Sequence, residues 1–300
     1  YREHGTALGI DSGRLGLDIT DDLVRQTGKL ATDRDIEIKY EIAAFPTKHT
    51  NTVRLTLKGT LGKKMQFLAA STGGGSFEIQ QIDQFEVSIR GDYYELLMRS
   101  KTDIDVTEDI LKNIPAKALV SRSTADNHTL INIKSPEGFS TQFTDGLKNK
   151  PAFEDFVIID PVLPVVSGNE TDLPFDNPDS LLQYAQSENK DLGDIGLIYE
   201  RCRSGMPEEA LWKKMQELTG IIEKSIQTGM AGTTYHDRIL HRQSHLIGQA
   251  AQAGKIPGDT LTNNLIAYVT AIMESKSSLE VIVANPTAGS CGTVGGALKA

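Results

Sequence analysis

The segment 281–296 constrains the fold of this chain more than any other stretch. An apolar, β-branched run ends at Asn285-Pro286 and is followed by small residues, hydroxyls, one thiol and four glycines. Proline ends the preceding element, because the residue before a proline is pushed out of the α region. Glycines remove side-chain bulk, so backbone N–H groups can approach a neighbouring helix or a ligand closely. The pattern predicts either a tight helix-packing loop or, where a helix restarts, a turn facing an anion such as a carboxylate.

Residues 286–292 read P-T-A-G-S-C-G and resemble a signature in the alpha part of the iron–sulfur-dependent L-serine dehydratases. Three other landmarks resemble that family's motifs and occur in the family's order: His4-Gly5-Thr6, His49-Thr50-Asn51-Thr52-Val53-Arg54 and Ser71-Thr72-Gly73-Gly74-Gly75. Several landmarks in one order are more specific than any single one. By this resemblance, residues 1–90 correspond to the family's beta part and residues 179–300 to its alpha part.

Composition is that of an ordinary globular protein and excludes some partners. The 300 residues are enough for two or three domains. A net charge of −9 and a pI near 5.2 argue against a nucleic-acid partner, which would need a basic face. No apolar run reaches roughly 18–20 residues, so no membrane partner is expected. The two cysteines, Cys202 and Cys291, lie far apart and do not suggest disulfides, which makes a cytoplasmic location the expectation.

Hydrophobic periodicity and the resemblance together predict an α+β multidomain chain. Four parts are expected in order: an N-terminal α/β domain like the serine dehydratase beta part over residues 1–90, a ferredoxin-like (ACT-like) βαββαβ domain over 91–160, an extended linker over 161–178, and a mostly α-helical domain like the alpha part over 179–300. The ACT-like domain is expected to be a structural or dimerising module. Prolines and a glycine mark the linker.

The patterns in the first 90 residues predict one capped helix and several strands. Asp21 and Asp22 can cap a helix that starts at Leu23. Apolar residues at every second position are typical of half-buried strands. On that basis strands are predicted at 36–42, 53–57, 77–79 and 85–89, and residues 65–70 are predicted to be a buried strand.

Residues 91–160 alternate strand and helix patterns in a βαββαβ order. The predicted elements are strands at 93–98, 118–121, 130–133 and 153–159, helices at Ile110-Leu111 after Thr107 and at 141–147, and a turn at Asp126-Asn127. Further along the chain, Pro207-Glu208-Glu209 is a good first helical turn, and residues 261–273 have the spacing of an amphipathic helix.

Cys291 and a run of three histidines are possible metal ligands, and each has a second interpretation. A cubane cluster normally needs three or four cysteines, so Cys291 is either one ligand among several or a packed thiol near the substrate. His236, His241 and His245 form an H-x4-H-x3-H run, and two histidines four residues apart on a helix can bind a metal. Histidines flanked by arginines are also typical of a solvated or interface face.

The N-terminal landmarks supply candidate acid–base and anion-binding groups. His4 with Thr6 is the best candidate acid–base element, because histidine titrates near neutrality and can exchange a proton with an amino acid's α-carbon or hydroxyl. The alternative is a histidine at a helix start without a chemical role. The run Ser71-Thr72-Gly73-Gly74 can present backbone N–H groups to a carboxylate, or it can form a β-bulge.

The resemblance implies an amino-acid ammonia-lyase that eliminates water from L-serine and gives pyruvate and ammonia. It implies a [4Fe-4S] cluster whose ligands lie mostly outside residues 1–300, because the chain opens within a motif and closes soon after Cys291. A longer polypeptide is therefore expected. A small amino acid is the expected substrate, and a homodimer is the expected assembly. The residues implied to bind the substrate are Ser71, Thr72, Gly73, Gly74, Asn285, Thr287, Ala288, Gly289 and Ser290.

Two alternatives stay open. The run Tyr235-His236-Asp237-Arg238 differs from the family's motif in that region, which favours another substrate on the same scaffold, such as L-cysteine in a desulfidase. The small number of cysteines favours a non-catalytic regulatory or assembly paralogue that binds no cluster. Iron content and turnover of an amino acid would separate these alternatives.

Overall fold

Two sheets and several helices make up the part of the chain that the computed structural model describes, which is residues 5–101, 114–115, 117–148, 150–162, 173–234, 241–285 and 287–300. This confirms the α+β part of the predicted fold class. The chain divides into two compact units, which we call the terminal unit (residues 1–46 and 215–300) and the sheet unit (residues 47–214). The four domains predicted from the sequence, including the ACT-like one, remain predictions.

The first sheet of the sheet unit is a four-stranded meander. Its strands are β1 (Thr52–Lys58), β2 (Lys64–Gly73), β3 (Ser76–Ile82) and β4 (Phe85–Ile89). They lie side by side in chain order, and each neighbouring pair is antiparallel. The four strands predicted between positions 53 and 89 are therefore confirmed.

The second sheet of the sheet unit is also antiparallel, but its strands are not in chain order. They are β5 (Tyr94–Ser100), β6 (Leu119–Ala125), β7 (His128–Ser135) and β8 (Phe153–Ile159). The spatial order is β6-β7-β5-β8, so the first of these strands lies in the interior of the sheet. All four strands were predicted. The helix expected at Ile110-Leu111 falls outside the described residues, so the full βαββαβ order stays a prediction.

One face of the second sheet is covered by helix α3 (Thr141–Lys148). Leu96 and Met98 of β5 pack in one buried cluster with Phe143 and Leu147 of the helix. These strand residues are two positions apart and so point to the same face. The predicted helix at 141–147 is confirmed, and its apolar side is the one that faces the sheet.

The turn between β6 and β7 has the chemistry that a two-residue hairpin needs. Asp126 and Asn127 have φ values of 48° and 60°. A type I′ turn requires positive φ at both central residues, and Asn and Asp tolerate that conformation better than most residues. The predicted turn is confirmed.

The other face of the second sheet packs against the first sheet. Phe85 of β4 lies in one buried cluster with Leu97 of β5 and Leu130 of β7. Glu95 lies two residues before Leu97, on the same face, and is completely buried. A buried carboxyl group needs hydrogen-bond partners, and Asn132 Nδ2 donates to Glu95 Oε2 at 2.6 Å.

The last part of the sheet unit is helical. It contains α4 (Pro178–Ser187), α5 (Leu192–Ser204) and the start of α6 (Glu208–Ala231), whose residues from 215 onward belong to the terminal unit. Capping boxes start the first two helices, one formed by Asn177 with Ser180 and the other by Asp191 with Asp194. The predicted helix start at Pro207 is confirmed.

The terminal unit is mostly helical. Besides most of α6 it contains α1 (Thr6–Leu15), a 3₁₀ helix (Asp22–Gln26), α2 (Thr27–Asp33), α7 (Ser244–Gln252), α8 (Thr260–Ser277) and α9 (Cys291–Lys299). The core lies between α6, α8 and α9 and is formed by Ile222, Ile226, Ala271, Ile272 and Cys291. In the described part of the chain, no helix has the length and apolar character needed to cross a membrane.

The N-terminal segment of the terminal unit contains one confirmed and one wrong prediction. Asp21 caps the 3₁₀ helix, since its carboxylate accepts from Leu23 N at 2.8 Å. The strand predicted at 36–42 is absent, because residues 36–47 carry neither strand nor helix. Tyr40 instead donates its hydroxyl proton to Asp11 Oδ1 of α1 at 2.6 Å. Alternating apolar residues favour an extended backbone, but a strand also needs a partner strand, which local periodicity cannot supply.

Candidate functional site

The turn before α9 is held by hydrogen bonds among its own residues. Ser290 Oγ donates to the Asn285 carbonyl at 2.6 Å and lies 3.0 Å from Thr287 Oγ1. The Ser290 backbone N–H donates to Thr287 Oγ1 at 3.2 Å. Residues 287–289 are exposed. The sequence-predicted binding residues of this segment therefore form a fixed turn that a ligand can reach.

Helix α9 begins directly after this turn, as the sequence suggested. Ser290 occupies the N-cap position, but its side chain makes no capping bond to the helix. Its hydroxyl is directed back to Asn285 instead. The positive end of the α9 dipole therefore lies beside the exposed turn, an arrangement that favours a carboxylate.

Three of the four glycines in this segment serve helix packing. A Cβ on Gly292 would lie 3.0 Å from the Val269 carbonyl oxygen, and one on Gly296 would lie 2.9 Å from the Val269 nitrogen. A Cβ on Gly295 would lie 2.7 Å from Ile272 Cδ1. The packing interpretation explains these glycines, because α9 approaches α8 at backbone distance. It does not explain Gly289, which is exposed in the turn.

Cys291 is packed in the core of the terminal unit. Its residue surface is 1% exposed, and its Sγ lies 4.0 Å from Met273 Sδ. Burial raises the pKa of this thiol, which keeps it neutral near neutral pH. Among the described residues there is no group of three His, Cys, Asp or Glu side chains that could hold a metal ion. This geometry favours the packed-thiol interpretation over ligation.

The two thiols are expected to react at very different rates in the folded protein. Cys202 is half-buried on α5, whereas Cys291 is buried and its pKa is raised. Because the thiolate is the nucleophile, iodoacetamide should modify Cys202 first and leave Cys291 unmodified until the protein unfolds. Peptide mass spectrometry after timed labelling gives the measurement. Rapid labelling of Cys291 in the folded chain would contradict the packed-thiol interpretation.

The N-terminal candidate segment packs beside the residues that lead into the turn. Thr6 is the first residue of α1, and Gly5 precedes it with a φ of 70°. A Cβ on Gly5 would lie 3.1 Å from Leu279 Cδ2. Arg25 and Glu280 form an ion pair at 2.7 Å in the same region. The start of α1 and the beginning of segment 279–290 therefore lie together in the terminal unit, while His4 falls outside the described residues.

The run Ser71-Thr72-Gly73-Gly74 lies in the sheet unit, at the exposed turn between β2 and β3. Gly73, Gly74 and Gly75 all have positive φ, and the pairing register shifts between Ser71 and Gly73. A bulge beside a tight turn accounts for this geometry. The structure thus places this run in one unit and the turn before α9 in the other.

The two described histidines of the H-x4-H-x3-H run, His241 and His245, do not lie on one helix. His241 is exposed and precedes α7, His245 lies in its first turn, and His236 falls outside the described residues. The spacing of four residues between His241 and His245 suggested a metal pair on one helix. The helix begins only at Ser244, so His241 and His245 do not share a helix face, and the geometry favours the solvated-face interpretation for His241.

Sequence reasoning missed Glu274, which is completely buried in the terminal unit. Its Oε1 accepts from Gln243 N at 2.6 Å and from Ser244 N at 2.8 Å, and its Oε2 accepts from Ser244 Oγ at 3.2 Å. Glu274 belongs to α8, so it caps the N-terminus of α7 from another helix. The available signal was its place beside the small residues Ala271 and Ser275, which marks a buried helix face.

A comparison with known protein families matches most of the chain. The family model described as "Serine dehydratase alpha chain" matches residues 49–300. The protein therefore belongs to the serine dehydratase alpha chain family.

Two curated relatives are similar over a shorter stretch. "Probable L-serine dehydratase, beta chain" of Bacillus subtilis (strain 168) is 28% identical over 98 residues, which is 33% of this chain and 44% of the relative. "L-serine dehydratase, beta chain" of Peptoniphilus asaccharolyticus is 24% identical over 99 residues, which is 33% of this chain and 45% of the relative. The similarity spans less than half the length of each relative.

Proposed function

We propose that this chain dehydrates L-serine to pyruvate and ammonia. The observation that carries the proposal is that the start of α1 and the segment leading into α9 lie together in the terminal unit. The start of α1 packs against Leu279, and the chain after Leu279 continues into the exposed turn at Thr287–Ser290 and then into α9. Family membership and the names of the relatives favour the same reaction class.

In the proposed reaction the turn before α9 binds the substrate carboxylate. The bonds between Thr287 and Ser290 fix the turn, so the N–H groups of Ala288 and Gly289 are available to an anion together with the helix dipole. Preorganised N–H donors would hold the substrate in one orientation.

His4 is the proposed acid–base group, with Thr6 next to it at the start of α1. Removal of the α-proton and departure of the β-hydroxyl as water would convert L-serine to 2-aminoacrylate. The enamine then tautomerises to the imine. Addition of one water releases pyruvate and ammonia, so the overall reaction consumes no other reactant.

The described residues do not fit a [4Fe-4S] cluster. Such clusters are held by three or four cysteine thiolates, whereas the sequence has two cysteines. Cys291 is buried in an apolar core with a raised pKa, and Cys202 belongs to the other unit. We therefore propose that a cluster serving this reaction takes its ligands mostly from outside residues 1–300.

The matching family model describes the alpha chain of serine dehydratase, whereas the two curated relatives are beta chains of L-serine dehydratase. We propose that this protein joins both parts in one polypeptide and assembles as a homodimer, the commonest arrangement for a soluble enzyme. Light scattering of the intact gene product tests the assembly, and a monomer at micromolar concentration would contradict it.

The substitution Ser290→Ala tests the role of the turn. It removes the hydroxyl that bonds Asn285 and Thr287, so the turn should loosen and kcat/KM for L-serine should fall about tenfold, mainly through KM. Pyruvate release gives the measurement. Thr219→Ala is the control, since that exposed hydroxyl bonds only carbonyls of its own helix. An unchanged kcat/KM in Ser290→Ala, with the fold intact, would contradict the proposed site.

The cysteine count also favours a second candidate, a non-catalytic paralogue on the same scaffold. A protein of this kind would bind no cluster and turn over no amino acid. The intact gene product, purified without oxygen, separates the candidates through iron content and through pyruvate formed from L-serine and from L-cysteine. Turnover of L-cysteine alone would assign the scaffold to the alternative substrate.

A further inference from the structure

Leu279 has a backbone conformation that leucine rarely adopts. Its φ is 58°, which lies in the left-handed region where a Cβ crowds the backbone. Asparagine and aspartate tolerate this conformation better than other residues with a side chain. The other described non-glycine residues with positive φ are all of these two types: Asp35, Asp83, Asp126, Asn127 and Asn189. Leu279 is therefore the exception among the described residues.

The unusual conformation occurs in a Schellman turn at the C-terminal end of α8. Leu279 N donates to the Lys276 carbonyl and Glu280 N donates to the Ser275 carbonyl, both at 3.0 Å. The same pair of bonds ends α7, where the left-handed residue is Gly254. Glycine is the usual residue at this position because it has no Cβ. The turn itself therefore does not explain a leucine at position 279.

The side chain of Leu279 packs against the start of α1. Its Cδ2 lies so close to Gly5 that a Cβ there would be only 3.1 Å away. Gly5 also has a left-handed backbone, and its carbonyl accepts from Gly9 N at 3.0 Å in the first turn of α1. The leucine side chain thus occupies the space that the missing side chain of Gly5 leaves open. This contact accounts for a leucine in a position that suits glycine.

The chain after Leu279 is held in place before it reaches the turn at Thr287–Ser290. Glu280 forms its ion pair with Arg25 at 2.7 Å. Ile282 packs against the core cluster of the terminal unit, which also contains the first residue of α9. Leu279 therefore belongs to a fixed segment, so its side chain can hold the start of α1 in a fixed place relative to the turn before α9.

We propose that Leu279 is a positioning residue, which holds the start of α1 against the segment that leads into the turn before α9. Its effect on catalysis rests on the proposed function, since His4, the proposed acid–base group, directly precedes Gly5 in the sequence. A small displacement of a reacting group lowers a reaction rate strongly. Backbone strain persists where the surrounding structure fixes it, as the anchored segment does here. The leucine thus serves the placement of α1 rather than stability.

The substitutions Leu279→Gly and Leu279→Ala separate placement from strain. Both remove the side chain that contacts Gly5, but only glycine also relieves the left-handed backbone. The urea midpoint of Leu279→Gly should stay near that of the wild type, and Leu279→Ala should unfold at lower urea. The kcat for L-serine should fall at least about tenfold, and equally, in both variants. KM should stay near its wild-type value, because the turn that binds the carboxylate is unchanged.

Asn189→Gly is the matched control. Asn189 follows α4 with a φ of 52° and is exposed. It takes part in the same pair of backbone bonds, from Asn189 N to the Gln186 carbonyl and from Lys190 N to the Ala185 carbonyl. Glycine there makes the same backbone change without removing a contact to α1. The control should therefore keep the kcat and the urea midpoint of the wild type, or raise the midpoint slightly.

Hydrogen exchange followed by mass spectrometry tests the contact without an assay of the reaction. Peptides that cover the first turn of α1 should exchange about tenfold faster in both Leu279 variants than in the wild type and in Asn189→Gly. Unchanged exchange in this turn would overturn the proposal, whatever happens to kcat. Should Leu279→Ala fail to fold, Leu279→Gly and its control decide alone.

Two kinetic results would also overturn the proposal in an active protein. The first is a wild-type kcat in Leu279→Gly. The second is a kcat that is lower in Leu279→Ala than in Leu279→Gly, because the loss would then follow stability and not the contact. A wild-type protein that releases no pyruvate contradicts the proposed function instead. The exchange rates then decide by themselves whether Leu279 holds α1.

Discussion

Gly229→Ala is expected to lower the free energy of unfolding by about 3 kcal/mol or more. Gly229 lies on α6 where that helix crosses α8. A Cβ at this position would overlap the carbonyl group and the Cα of Ala271, which is completely buried. The obstacle is backbone, so no rotation of a side chain can relieve it, and the two helices must separate. Urea denaturation followed by circular dichroism gives the measurement.

The matched control for Gly229→Ala is Gly220→Ala on the same helix. Gly220 is exposed, and a Cβ there meets no atom within 4 Å. Alanine should stabilise the helix at this position by up to about 1 kcal/mol, because glycine loses more backbone entropy on folding. Opposite signs for the two variants support the close crossing of α6 and α8. Equal and small effects would contradict it.

Glu274→Ala is expected to lower the free energy of unfolding by about 3 kcal/mol. The variant leaves the N–H groups of Gln243 and Ser244 at the start of α7 without their carboxylate partner. Ser244 is completely buried, so bulk water does not reach these N–H groups in the folded protein. It also leaves a cavity where the side chain was, which adds to the cost. Urea denaturation measures the loss.

Two further variants separate the cap from an unspecific effect of losing a glutamate. Glu274→Gln keeps one side-chain oxygen as acceptor and should lose much less stability than Glu274→Ala. Glu217→Ala removes an exposed carboxylate on α6 and should change stability by less than about 0.5 kcal/mol. If Glu274→Ala behaved like Glu217→Ala, the cap of α7 by α8 would be wrong.

Local patterns predicted the elements whose partners are near in sequence. The strands from Thr52 to Ile89 pair with their chain neighbours, so alternation and turn residues were sufficient. The segment 36–42 has the same alternation but no partner strand, and it packs through Tyr40 on α1 instead. The division into two units joins the first 46 residues to the last 86, a long-range association that local periodicity does not encode.

The candidate site, like the fold, was predictable only where its residues are near one another in the sequence. Motif resemblance pointed to Thr287 and Ser290, and their side chains do hold an exposed turn before a helix. The motif resemblance did not show which glycines serve helix packing and which one, Gly289, is exposed in the turn. That difference depends on where α8 approaches α9. Glu274 escaped notice since its role depends on the start of α7, thirty residues earlier in the sequence.

We propose that this member of the serine dehydratase alpha chain family releases pyruvate from L-serine, and one assay tests that proposal directly. The most direct measurement is pyruvate formed by the intact gene product, purified without oxygen and assayed together with its iron content. We expect pyruvate release from a protein that carries about four irons per chain, as one cubane cluster requires. An iron-loaded protein that forms no pyruvate from L-serine would contradict the proposed reaction. A colourless, inactive protein would favour the non-catalytic paralogue.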